Sequence, residues 1–141
     1  MKRFITYLQI AIVLCALAGC RHKREEVHMP SGNVFEVSET VLAGEPSDTL
    51  RMGTVREGEK VTMGFSLKNG FSGPFVVEKI VSGCGCTLFG YSRKPIKPGE
   101  SANMEVTFNS AGFYGEVIKE AKIYTSVSAT PYKVIVEATI K

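Results

Sequence analysis

The stretch Tyr132-Lys133-Val134-Ile135-Val136-Glu137-Ala138-Thr139-Ile140 decides how this chain folds. Tyr132, Val134, Val136, Ala138 and Ile140 share one parity, while Lys133, Ile135, Glu137 and Thr139 share the other. Successive side chains of an extended chain point to opposite sides, so this alternation describes a strand with one buried face. The same period recurs upstream. Val61, Met63, Phe65 and Leu67 alternate with Thr62, Gly64, Ser66 and Lys68, and Met104, Val106 and Phe108 alternate with Asn103, Glu105, Thr107 and Asn109. Val117, Ala121, Ile123, Thr125 and Val127 fall on one parity of a further run. No segment carries the i, i+3, i+4, i+7 stripe of an amphipathic helix.

Turn-forming residues separate the runs: Glu57-Gly58, Asn69-Gly70, Ser72-Gly73-Pro74, Lys97-Pro98-Gly99, Ala111-Gly112 and Ala129-Thr130-Pro131. The pattern predicts strands over 34–42, 49–55, 60–68, 75–82, 101–109, 116–127 and 132–140. About seven short strands at this spacing predict an all-β fold, an immunoglobulin-like antiparallel β-sandwich over residues 33–141. The Cys…Trp…Cys core of antibody domains is missing, because the chain has no Trp.

Outward from the sandwich, residues 20–32 are charged, contain Pro30 and Gly32, and read as a tether; His22 and His28 both fall here and are read as solvated. Before it, Lys2-Arg3 precedes sixteen largely apolar residues, Phe4 to Gly19. That run is short of the ~20 residues a membrane span requires and suits a cleaved signal peptide over residues 1–19. It ends Leu17-Ala18-Gly19-Cys20, which resembles the lipobox of bacterial lipoproteins. The resemblance implies cleavage before Cys20 and attachment of acyl chains such as palmitate to its sulfur. Each buried CH₂ contributes ~0.8 kcal/mol, so two or three chains hold a protein on a membrane. Two other outcomes stay open: Ala16-Leu17-Ala18 also fits a plain secretory cleavage site, and the run can remain uncleaved with Arg21, Lys23 and Arg24 as a stop. Arg21 follows Cys20 where an Asp favours inner-membrane retention, so the expected location is the cell envelope, outer membrane before inner.

Removing the leader changes the electrostatics. Of 17 basic residues Lys2 and Arg3 are lost, leaving 15 against 14 acidic ones, a side-chain charge of +1 rather than +3. A near-neutral domain lacks the charge excess that drives nucleic-acid binding by counterion release.

Cys15 is lost with the leader, so Cys84 and Cys86, in Gly83-Cys84-Gly85-Cys86-Thr87, are the two remaining beside Cys20. In an oxidising envelope they form a candidate disulfide or thiol site, and Gly85 eases the bend between them. One reading is a local structural clip at a tight turn. A second is a reducible pair engaged in thiol exchange, and a third is a pair of thiolates holding Cu(I). A closed zinc site is disfavoured, because residues 33–141 contain no His and no other Cys. No metal or cofactor is expected.

Gly53-Thr54-Val55-Arg56-Glu57-Gly58-Glu59, Phe65-Ser66-Leu67-Lys68-Asn69, Gly83-Cys84-Gly85-Cys86-Thr87, Pro95-Ile96-Lys97-Pro98-Gly99-Glu100, Val106-Thr107-Phe108-Asn109 and Gly115 occur in an order similar to that of the bacterial domain-of-unknown-function family 1573. The resemblance implies an immunoglobulin-like sandwich, akin to Hydin-like and major-sperm-protein-like domains, carried on envelope lipoproteins and without an established enzyme activity. Two departures stand out: Asn69-Gly70-Phe71 replaces the family's Asn-Thr-Gly turn, and Ser126-Val127-Ser128 replaces a Ser-Asn pair.

Phe71, Phe89, Tyr91, Phe113 and Tyr114 sit outside the alternating pattern and are candidate partner-binding residues; the competing reading is that they cap the ends of the core. Simple strand reversal places Phe71 with Phe113-Tyr114 at one end, and Cys84–Tyr91 with Ala129–Pro131 at the other. A short extra strand within 86–92 breaks that parity. Catalysis finds little footing: the domain has no His, no Gly-x-Ser-x-Gly elbow and no phosphate-cradling loop, Glu57 and Glu59 flank a turn, and Ser66 and Ser101 have no base. The expectation is a non-enzymatic interaction or scaffold module, membrane-bound through acylated Cys20, whose partner is an envelope protein or a second copy. It is reached through loops or by strand addition, with no nucleic acid and no small-molecule substrate identified. The alternative is a thiol-redox or Cu(I)-handling protein using Cys84 and Cys86.

Overall fold

A computed structural model describes residues 27–29 (backbone only), 32–44 and 47–141. The leader, Cys20 and His22 lie outside the described residues. Among the described residues, nine strands and one short helix follow in the order β1 Val27–Met29, β2 Val34–Val37, α1 Glu39–Ala43, β3 Ser47–Val55, β4 Lys60–Asn69, β5 Val77–Ser82, β6 Thr87–Gly90, β7 Ser101–Asn109, β8 Gly115–Thr125 and β9 Ser128–Ile140.

The strands form two sheets packed as a sandwich. One has the order β1-β4-β7-β6, with β2 also on β4; the other has the order β3-β9-β8-β5. The alternating runs occupy the centre of each sheet, as their one-sided apolar faces require. Val61, Phe65 and Leu67 of β4 and Val106 and Phe108 of β7 bury their side chains against Val134, Val136 and Ile140 of β9 and Ile123 of β8 in one core.

The pairing is mixed rather than purely antiparallel. β1 and β2 lie parallel to β4, with Val27 opposite Val61 and Val34 opposite Ser66, and β3 lies parallel to β9. Val27–Met29, within the expected tether, thus extends a sheet. The expected strand 34–42 breaks at Ser38, whose hydroxyl caps α1 by accepting from Val41 N at 3.3 Å. A Ser before a Glu-bearing first turn is a helix-start signal, but five residues are too few to display a period.

β6 is the extra strand that breaks the parity. It pairs with β7, Thr87 opposite Phe108, so the chain crosses the sandwich once more between Cys86 and Tyr91. The expected grouping is therefore corrected: Phe71 lies at the opposite end from Phe113-Tyr114. The Cys84–Cys86 loop joins the latter pair, and Tyr91 and Ala129–Pro131 fall at the Phe71 end. Asn109 N donating to Cys86 O at 2.8 Å ties the Cys loop to the end of β7. Since β1 and β2 run parallel to β4, the chain enters the sandwich at that same end.

Candidate functional site

At the Phe71 end, Asn69 closes β4 and is fully buried. Its Nδ2 donates to Ile96 O at 2.7 Å and Gly73 O at 2.9 Å, and its Oδ1 accepts from Phe71 N at 2.8 Å. Its backbone N donates to Glu100 O, and Gly70 N donates to Val37 O. The Asn69 side chain thereby ties the β4–β5 loop to the approach to β7, and the Gly70 N–H adds the link to the end of β2. Gly70 is required where it stands, because a Cβ there would come within 2.9 Å of Ser38 Cβ.

The loop held by Asn69 forms one wall of an open groove of about 390 Å³. Phe71 and Ser72 face Glu39 and Leu42 of α1 across it, with Val127 of the β8–β9 turn and Thr130 closing the end. Leu42 is buried, Phe71 half-buried with its ring edge-on to Phe75 at 5.9 Å, and Val127 is 43% exposed. The groove therefore combines an apolar floor with a rim of hydroxyls and one carboxylate, the composition of a recognition surface rather than of a proton-transfer site.

At the other end, Cys84 and Cys86 are joined by a disulfide with Cα atoms 5.3 Å apart. The bonded sulfurs offer no thiolate to Cu(I) in this state. The loop is also held independently of the disulfide. Ser82 Oγ donates to Cys84 O at 3.0 Å and lies 3.1 Å from Thr87 O, and Gly83 N donates to Glu120 O at 3.4 Å. Thr87 is buried, and its hydroxyl lies 3.7 Å from each sulfur. A ring closed over two residue steps removes little unfolded-state entropy, about 1.5 kcal/mol, so this bond is a weak staple for a fold with so extended a core. Beside it, Ser110 Oγ donates to Arg56 O at 2.6 Å and accepts from Glu59 N at 2.9 Å, joining the β3–β4 turn to β7.

The aromatic residues divide. Phe89 packs edge-on to Phe65 at 6.5 Å, and Phe113 packs on Phe108 at 5.8 Å with Lys119 Nζ 4.5 Å above its ring. Tyr91 packs half-buried on the core, whereas Tyr114 is 76% exposed. Phe89, Tyr91 and Phe113 therefore cap the core, Phe71 both caps it and faces the groove, and Tyr114 faces solvent. Sequence reasoning missed Asn69, Ser110 and Thr87. Asn69 was visible as half of an Asn-Gly turn, but its partners lie on other strands. Among the described residues, no cluster of three metal-ligating side chains occurs and no helix is long and apolar enough to cross a membrane.

A family model described as "Protein of unknown function (DUF1573)" matches residues 45–140. No curated protein matches the sequence. Among solved structures, a protein of unknown function from Porphyromonas gingivalis W83 is similar at 20% identity and a TM-score of 0.57, over 66% of this chain and 44% of that one. The VesB protease of Vibrio cholerae is similar at 14% identity and a TM-score of 0.52, over 67% of this chain and 30% of that one. The chain thus spans less than half of either protein, and at these identities the likeness is one of fold.

Proposed function

The chain belongs to the DUF1573 family of proteins of unknown function, and from that premise we propose that it is a non-enzymatic interaction module of a bacterial envelope lipoprotein. Acylated Cys20 holds it on a membrane, the outer one in the first instance, and the groove beside Phe71 receives a segment of an envelope protein. The observation that carries this reading is the position of the groove, at the end of the sandwich opposite the one where the chain enters. Seven residue steps separate Cys20 from Val27, a reach of at most ~25 Å, so a lipid anchor keeps the Cys84–Cys86 end near the bilayer and presents the groove outward.

The sheet edges favour loops over strand addition. β6 has four residues, β1 three and β2 four; β5 carries a register shift between Val77 and Lys79, and β3 one between Arg51 and Thr54 around Gly53 at φ 68°. Short and bulged edges are poor templates for another strand.

Two variants test the reading. Cys20→Ala is expected to release the protein from the membrane fraction or to leave it as an uncleaved precursor; a processed protein still in the membrane fraction contradicts the anchor. Phe71→Glu, folded as judged by its melting curve, is expected to lose whatever envelope protein co-purifies with the wild type. An unchanged co-purification profile contradicts the groove.

A further inference from the structure

We propose that Cys84 and Cys86 form a reversible dithiol–disulfide couple that exchanges electrons with an external dithiol, and that Thr87 is the residue positioning that exchange. The inference rests on the loop geometry and is independent of what the groove binds.

Three observations support it. Cys84 and Cys86 are half-buried in a loop at one end of the sandwich, with Cys86 packed against the edge of the core. The loop is pinned by bonds that do not pass through sulfur: Ser82 Oγ to Cys84 O, Asn109 N to Cys86 O and Gly83 N to Glu120 O. These bonds hold the backbone of both cysteines, Cα atoms 5.3 Å apart, when the disulfide opens, so re-closure needs only side-chain rotation and stays intramolecular. Finally, the buried Thr87 hydroxyl stands 3.7 Å from each sulfur. A hydroxyl donor so placed serves whichever sulfur becomes the thiolate, and a hydrogen bond to a thiolate is stronger than one to a neutral disulfide sulfur.

The exchange balances as follows. A thiolate of the external dithiol attacks one sulfur of the pair; a new S–S bond forms to it and the Cys84–Cys86 bond breaks. The other cysteine leaves as a thiolate, accepts the Thr87 hydrogen bond and takes a proton from solvent. The second thiol of the reagent, deprotonated to solvent, then attacks the mixed disulfide and leaves as an oxidised cyclic disulfide. The released cysteine is protonated in turn. Two electrons pass from the reagent to the pair, and the reverse sequence re-oxidises it.

The test uses dithiothreitol as the dithiol and the chain from Cys20 onward, with alkylation and mass measurement to count thiols. The wild type is expected to reduce fully while its near-UV circular dichroism stays folded, and to re-oxidise when oxidised dithiothreitol is added. Once reduced, its more reactive thiol is expected to alkylate with a midpoint below the ordinary thiol pKa of ~8.5. Thr87→Val is expected to slow reduction about tenfold and to move that midpoint upward, with Thr87→Ser restoring both. If the pair reduces only in denaturant, or if the reduced wild type alkylates with an ordinary midpoint, the proposal falls. Equal rates and midpoints in a folded Thr87→Val variant also overturn it; should that variant not fold, the wild-type pH profile decides alone.

Discussion

Asn69 Nδ2 donates to the carbonyl of Ile96 at 2.7 Å, inside the protein and across 27 positions of sequence. That bond, with those to Gly73 O and from Phe71 N, makes one buried amide the fastener of the groove end. Asn69→Ala removes it together with the bonds to Gly73 O and Phe71 N, and leaves those two groups without a partner, while Ile96 O keeps only its bond from Phe75 N. Each unsatisfied buried group costs about 1–3 kcal/mol, so the variant is expected to lose about 3 kcal/mol in urea unfolding. A loss below about 0.5 kcal/mol would show that the amide does not fasten this end.

Tyr132 is buried on β9 and donates its phenol to the Asp48 carboxylate on β3. Burial pushes its pKa well above the ordinary 10.0, and the hydrogen bond and charge of Asp48 push the same way. The folded chain therefore keeps the phenolic proton after the unfolded chain has lost it. Above about pH 10 the unfolded state binds fewer protons, and stability falls by up to about 1.4 kcal/mol per pH unit; below pH 10 this contribution is fully present. Melting temperatures between pH 9 and about 11.5 are expected to fall more steeply for the wild type than for Tyr132→Phe. At neutral pH that variant is expected to cost about 1 kcal/mol for the lost hydrogen bond. Parallel alkaline limbs would remove Tyr132 from the account.

Thr125, at the end of β8, is buried, and its hydroxyl is the one buried side-chain polar atom among the described residues without a hydrogen-bond partner. Thr125→Val replaces that hydroxyl by a methyl of similar size. The variant is expected to gain about 1 kcal/mol in thermal or urea unfolding, and destabilisation of that size would reveal a partner for the hydroxyl.

How far these features could be read in advance follows from their physics. β4, β7 and β9 were legible because nine or more residues with one buried face display a period of two. β6 was not, because it has four residues and places a polar one, Thr87, on the inward side, which masks the alternation. Simple strand reversal, which leaves it out, puts Tyr91, Phe113 and Tyr114 at the wrong ends relative to Phe71, and β6 is the short strand within 86–92 that was expected to break that parity, since each added strand flips every later loop. α1 was hidden by its length, and the parallel pairings of β2 and β3 by the fact that periodicity within one strand carries nothing about its neighbour. Cys84 and Cys86 were legible as a pair. The Thr87 hydroxyl between their sulfurs was not, because only the turn of the folded loop brings it there.

The groove beside Phe71, proposed to face away from the membrane, is the centre of the functional reading, and site-specific photo-crosslinking in intact envelopes tests it most directly. A photo-reactive residue replaces Val127 at the groove or, as a comparison, Leu88, which is 65% exposed on β6 and does not line the groove. The account predicts a discrete adduct with another envelope protein from position 127, lost in Phe71→Glu, and none from position 88. An adduct from position 88 with none from 127, or a 127 adduct consisting only of a second copy of this chain, would contradict it.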